Sequence, residues 1–396
     1  LIFATYWFVL AFVTFYGLYI VVQAPKLRLW VLLIFSLFFH THFAGAAGVV
    51  PIVALTLLTY SFGLSNDRRL CLVGVAVCAA SLVCFKYSHF LIDQLLPLSG
   101  PLAVEQLHLA AAAFLPVTPP LAISFFVFEF IHYLLEVRRG SPVIRSFYDF
   151  LHFTFFFPTL VAGPVKRYQT FLPALKAGVS AVSLEDFVLG LVQTLVGAFK
   201  KLVLADNMSA FIEWSQDRYH FMTPLERWNF LFILALRIYF DFGGYSDIAI
   251  GIARMMGIKV PANFNFPYLA HNVADFWRRW HISLSTWIRD YIYVLLGGGR
   301  LGLGRKVGNA VLAFLICGLW HGAAWNFILW GLYHGLGLAI CTTYRQCPPL
   351  SWVGALMDRA PALAWFSTFL FVCFGWLLFF YPPQRAWSLF ALLWSF

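Results

Sequence analysis

The chain has 396 residues, of which 61% are hydrophobic and only 11% charged, with a formal net charge of +10. A mean hydropathy of +0.80 excludes a water-soluble globule, because so few charges cannot cover so much apolar surface, and it points to a polytopic membrane protein. No polar stretch of domain size separates the apolar runs, so residues 1–396 are expected to form one membrane-embedded unit.

A span needs roughly 20 apolar residues. In chain order the candidates are Leu1 to Val22, Leu29 to Val50, Pro51 to Leu64, Leu70 to Ile92, Pro120 to Val137, Phe147 to Val165, Leu184 to Phe211, Trp228 to Met256, Val307 to Thr343 split near Gly331, Pro361 to Tyr381, and Ala386 to Phe396. The predicted fold class is therefore all-α, with about ten membrane-embedded helical segments. Leu1 to Val22 lacks a basic leader and a small-residue cleavage site, and reads as a span rather than a signal peptide. Leu1 is not an initiator methionine and Phe396 ends within an apolar run, so further sequence is expected at both ends. Several candidates are irregular: Pro51 to Leu64 is short, Phe147 to Val165 carries His152 and Pro158, and Lys200 and Lys201 interrupt another. Such pieces persist at membrane depth only inside protein or beside a water-filled space, which predicts irregular or re-entrant elements around a central cavity.

Lys26 and Arg28, then Arg68 and Arg69, then Arg138, Arg139 and Arg145 follow the odd-numbered early spans, whereas the intervening loops carry no Lys or Arg. The positive-inside rule places those basic loops in the cytoplasm and the N-terminus outside. The net charge is thus mainly topological, with a second use in attracting an anionic cytoplasmic ligand or anionic lipid rather than nucleic acid. Asp93 to Pro119, with four prolines, reads as an external loop holding one short helix. No internal repeat of the kind seen in many secondary transporters is visible. The seven cysteines include no CxxC pair, so neither disulfides nor a metal site is expected.

Titratable groups within apolar sequence are the strongest functional signal, because they are costly in lipid. His321 lies within an uncharged stretch from about Ala310 to Thr343. His281 lies in a segment from Asp275 to Tyr293 that is too polar to face lipid and whose aromatic residues recur at helical steps, so it belongs to an interface or a protein-lined cavity. His334 follows His321 by thirteen residues, about 220° around one helix, and should not share its face. His132, His152 and His334 read as structural or cavity-lining. Asp241 and Asp247, flanking Tyr245, would lie about 120° apart on one helix. They read as structural polar anchors rather than a cation site, with Arg237 or the arginines near Arg278 as partners. Gly297 to Gly302 formally satisfies GxGxxG, but no strand precedes it, so a flexible basic loop is expected instead of a dinucleotide site.

Tyr239 to Asp247, Asn263 to Tyr268, Phe276 to Ser285 and Gly318 to Gly322 together resemble the membrane-bound O-acyltransferases, in the branch of bacterial alginate O-acetyltransferases, related to the D-alanyl transferases of teichoic acids. Ile123 to Phe126 and Phe157 to Val165 are also similar. The resemblance runs from Pro120 to Tyr344. It implies a catalytic core over residues 120–344, between N-terminal spans with an external loop in 1–119 and C-terminal spans in 345–396. It also implies acyl transfer from a thioester to a hydroxyl, with His321 at the principal catalytic histidine and His281 at the second active-site position. The pattern usually has serine where Gly243 stands, and members of this branch often continue for further spans. An extracytoplasmic hydrolase-like (SGNH) protein often completes transfer to the polymer, and the resemblance places the chain in the bacterial inner membrane.

Elementary chemistry agrees with that implication. Acyl transfer from a thioester needs a base for the acceptor hydroxyl and a donor for the oxyanion, with no metal required when the leaving thiol is already good. His321 is expected as general base, and His281 as its orienting partner or as an oxyanion and thioester-carbonyl donor. Trp277, Trp280, Trp320 and Trp325 would line a dry pocket. Arg278, Arg279 and Arg289 would steady an anionic donor arm or pair with Asp275 and Asp290. Ser283 and Ser285 are candidates for an acyl-enzyme. No resident cofactor is expected; acetyl-coenzyme A or a loaded carrier protein would be a substrate. The competing readings are D-alanyl or other acyl transfer from a carrier protein to an envelope polymer, a proton-coupled transporter using the same histidines, and a non-catalytic scaffold.

Overall fold

A computed structural model describes residues 2–95, 105–109, 111, 115, 119–300 and 302–395. Every regular element among them is helical, as lipid favours, since a helix satisfies its backbone groups within one segment. The expected loop from Asp93 to Pro119 lies largely outside the described residues, and residues 105–109 are helical.

Six described helices are long and apolar enough to cross a membrane: Pro25–Leu64, Arg68–Gln94, Leu184–Gln216, Gly302–His321, Trp325–Gln346 and Pro361–Phe380. Of the other expected segments, Trp228 to Met256 corresponds to the 32-residue helix Pro224–Met255, and several are shorter. Tyr6–Val21 and Ile123–Arg138 have 16 residues each, and Phe147–Phe155 has 9 because the chain tightens into a 3-10 turn at Phe157–Thr159 around Pro158.

Two boundaries differ from the sequence reading. Leu29 to Val50 and Pro51 to Leu64 fall within one element, Pro25–Leu64, and its break is at Gly45 (φ 64°, ψ 172°) rather than at Pro51. That backbone conformation is open to glycine and almost nothing else. Val307 to Thr343 divides at residues 322–324 instead of at Gly331, giving Gly302–His321 and Trp325–Gln346. Gly331 serves contact instead of a break. A Cβ there would overlap the Phe314 carbonyl oxygen, so glycine permits the two helices to touch.

The chain groups into two compact units. The first comprises residues 1–196 and 246–261. Its core gathers Phe15, Phe35 and Phe39 around Phe157, with ring centroids at 5.6, 4.9 and 5.7 Å. A buried ion pair lies within it: Lys166 Nζ stands 2.6 Å from Glu129 Oε1 and 3.1 Å from Thr159 Oγ1. His152 bonds the carbonyls of Tyr148 and Leu29 at 2.9 and 3.0 Å, and His132 bonds Gln169 at 3.1 Å. Both therefore hold elements together. Asp247 accepts from Gln193 at 3.3 Å.

The second unit comprises residues 197–245 and 262–396. Lys201, which made its segment look irregular, bonds Asp206 at 2.5 Å and Asp241 at 2.8 Å. Arg237 is the further partner of Asp241, at 3.7 Å. Gly244 allows a close approach rather than a break, since a Cβ there would meet the Gly197 carbonyl oxygen at 2.7 Å. Tyr245 is buried. Arg227 donates to the carbonyls of Leu392 and Ser395 at 2.6 and 2.9 Å, tying down the last helix. The glycine-rich loop is pinned at its start, where Asn309 donates to the carbonyls of Leu296 and Gly298 at 2.9 and 3.0 Å.

Candidate active site

The second unit contains both candidate catalytic histidines. His321 is the last residue of Gly302–His321, at the corner of an antiparallel helical hairpin. The corner is tight because its small residues admit close contacts: a Cβ on Gly318 would overlap the Phe327 carbonyl oxygen, and one on Gly322 would overlap the Phe327 ring. This placement leaves the imidazole against aromatic rings. Trp320, Trp330 and Phe379 lie at 4.8, 5.0 and 5.1 Å from it. Asn326 Nδ2 donates to the Phe379 carbonyl at 3.1 Å, which fixes the third wall.

His281 sits where Val273–Arg279 ends and Ile282–Ile288 begins, with a left-handed backbone (φ 42°, ψ 56°). For a residue with a Cβ this conformation costs roughly 1–2 kcal/mol, and it persists only where the surroundings enforce it. Two backbone bonds do so: Ile282 N donates to Asn263 O and Asn265 N to Arg279 O, both at 2.9 Å. The ring is buried, with Phe242 at 4.7 Å and Trp320 at 6.2 Å. Trp320 thus touches both histidines. Burial holds the His281 imidazole well below its ordinary value, and the charge of nearby His321 adds to that.

The geometry brings His334 into the same cluster, contrary to the single-helix expectation. The reason is the corner at residue 322: the two histidines lie on successive antiparallel helices, so their angular offset on one helix is irrelevant. Trp330 packs against both, at 5.0 Å from His321 and 4.9 Å from His334. His334 Nδ1 accepts from Trp277 Nε1 at 3.3 Å.

Trp277 is buried against Phe314 at 4.7 Å. Trp280 is buried among Phe264, Phe276 and Trp376 at 5.0, 5.5 and 4.9 Å. Trp325, by contrast, is 50% exposed, because it begins its helix just beyond the corner. Arg278 and Arg279 bond Asp275 at 3.2 and 3.0 Å, and Arg289 bonds Asp290 at 2.7 Å. Ser283 Oγ donates to Asn263 Oδ1 at 2.8 Å and Ser285 Oγ to the Trp280 carbonyl at 3.1 Å. Both hydroxyls therefore hold local structure. A cleft of about 360 Å³ opens beside these residues, walled by Trp277, Ser285, Phe314 and Cys317, with Arg278 and Arg289 also lining it. Cys317 stands one helical turn before His321. Among the described residues no group of three or more His, Cys, Asp or Glu is placed to hold a metal ion.

Sequence reasoning did not single out Asn263, Trp330, Phe379 or Cys317 as site residues. Spacing carries no signal for them, since their relation to the histidines arises only from packing.

Residues 120–382 match the membrane-bound O-acyltransferase family. The chain belongs to that family. The match begins at the Pro120 boundary read from the motifs and extends through the helix bearing Phe379. Among relatives, a protein named probable alginate O-acetylase from Pseudomonas aeruginosa is 36% identical over 83% of this chain and 61% of its own length. The peptidoglycan O-acetyltransferase of Helicobacter pylori is 34% identical over 96% of the chain and 77% of its length. The teichoic acid D-alanyltransferase of Bacillus subtilis is 30% identical over 65% and 68%. The chain spans only about three fifths of the length of several of the curated relatives it matches.

Proposed function

We propose that this chain moves an acyl group, in the first instance acetyl, from a cytoplasmic thioester through the membrane to a hydroxyl on an extracytoplasmic polysaccharide or partner protein. The observation that carries the reading is the convergence of His281 and His321 on Trp320; the cleft lined by Arg278 and Arg289 reaches Ile282 and Cys317 on the same two elements, though neither histidine lines it. Family membership, together with relatives named as acetylases of alginate and peptidoglycan, favours acetyl over other acyl groups.

His321 acts as general base. It takes the proton of the acceptor hydroxyl as that oxygen attacks the thioester carbonyl carbon; the tetrahedral intermediate then collapses, the carbon–sulfur bond breaks, and the proton passes to the departing thiolate. The aromatic walls exclude water, which would otherwise hydrolyse the donor. The cleft takes the donor arm, with its apolar wall around the acyl end and the exposed guanidinium groups of Arg278 and Arg289 toward anionic groups on the carrier. The thioester is a substrate, and no resident cofactor takes part. The acceptor hydroxyl belongs either to the polymer or to an extracytoplasmic hydrolase-like partner, and the protein works in a bacterial inner membrane.

Purified protein in lipid, incubated with radiolabelled acetyl-coenzyme A with and without polysaccharide and candidate partners, locates the label. His321→Ala is expected to lose transfer by roughly 10²–10⁴-fold while inserting and folding normally. Undiminished transfer by that variant would remove His321 from the mechanism.

A further inference from the structure

Asn263 is buried within the extended stretch between the helices Pro224–Met255 and Val273–Arg279. Its carboxamide oxygen lies 3.0 Å from His281 Nδ1, 2.8 Å from Ser283 Oγ and 3.4 Å from the Ser283 backbone nitrogen. The last contact determines the chemistry. A backbone N–H can only donate, so the atom facing it is the carbonyl oxygen and not the amide nitrogen of Asn263. The same oxygen faces His281 Nδ1, which must then carry the proton. In neutral imidazole one nitrogen holds a proton and the other a lone pair. The lone pair of His281 is therefore on Nε2, a buried atom without a hydrogen-bond partner.

We propose that Asn263 is a positioning residue that locks His281 in the Nδ1–H form, so that Nε2 enters the reaction as a proton acceptor. The proposal rests on the reading of His281 as an active-site residue. It decides between the two roles open to that residue. A neutral His281 held this way cannot donate to an oxyanion or a thioester carbonyl; it accepts from a proton-bearing nitrogen of His321, the base that meets the acceptor hydroxyl. The left-handed backbone of His281 lies where the main chain of residues 263–265 is bonded to residues 279–282, so Asn263 and His281 are held side by side. Facing the ring are Phe242 from one helix, Trp320 and the titratable His321 from another, and Asn263 itself.

Two measurements test this. In the first, solid-state NMR of histidine-labelled protein in lipid, with His281→Gln to assign the resonance, reads the tautomer directly. The expected signature is protonated Nδ1 and bare Nε2, and the reverse overturns the proposal. The second compares Asn263→Asp with Asn263→Leu in acetyl transfer from acetyl-coenzyme A. Aspartate keeps the acceptor and adds a charge that favours imidazolium, so activity should stay within about tenfold while the acid limb of kcat/KM moves up by roughly one pH unit. Leucine removes the acceptor, and kcat should fall by roughly 100-fold or more. An unmoved acid limb in Asn263→Asp, or full activity in Asn263→Leu, also overturns it. A fully active His281→Gln defeats the reading of His281 as an active-site residue, a result separable from an inactive His281→Gln with the wrong tautomer.

Discussion

At the scale of residues, the two central histidines have different surroundings. His321 lies at a helix end and is partly accessible, as the proposed base must be, whereas His281 is buried, strained and tied to Asn263. Burial keeps His281 neutral, and its folded-state affinity for protons is below that of an ordinary histidine at 6.5. The sign follows: protonation of His281 is opposed by the fold and occurs only as pH drops below that value. An acid limb of kcat/KM set by His281 is therefore expected below pH 6.5, and a limb at or above it would assign the titration to another group. The catalytic candidacy of His321 and His281 was legible because a polar ring in apolar sequence has few bland explanations. The surroundings were not: Trp325, four residues beyond His321, is half exposed, whereas Trp330, nine residues beyond, packs on the ring.

At the scale of elements, the hairpin of Gly302–His321 and Trp325–Gln346 is the part on which the site depends. Its helices touch through Gly318 and Gly331, where any side chain would overlap the facing backbone. Gly331→Leu is expected to destabilise the protein by on the order of 3 kcal/mol, read as a lower Tm in detergent together with lost transfer. Gly304→Ala, on the same hairpin but with nothing near its Cβ position, should leave both unchanged or slightly raise Tm. In the first unit the buried Lys166–Glu129 pair is the counterpart. Removing one partner strands a charge, so Lys166→Met should cost about 3–5 kcal/mol, whereas Lys166→Met with Glu129→Leu should recover most of it. Equal Tm values for the single and double variants would show that the pair does not act as one. The sequence misplaced two breaks here because it treats Pro and an isolated Gly as breakers, whereas a helix tolerates Pro51 and uses Gly331 for contact.

At the scale of the whole molecule, the basic loops after the early spans predict an orientation that the helices alone do not. Single cysteines introduced into a cysteine-free background at Arg68 and Arg139 should be shielded from a membrane-impermeant thiol reagent in intact cells and react after permeabilisation. One at Tyr6 should react in both. Reaction at Arg139 in intact cells would invert the topology and with it the proposed direction of transfer.

The amino-acid sequence by itself determined the membrane class, the helical fold, the family and the choice of His321 and His281 as candidate site residues. These follow from composition, from apolar run length and from motifs whose members lie close in the chain. Only the tertiary structure decided where the helices break, that His334 joins the His321 cluster through Trp330, and that Asn263 holds the Nδ1 of His281. Those relations depend on which backbones can approach and which polar atoms meet. Such encounters join residues 18 positions apart or on antiparallel helices, and no local periodicity encodes them.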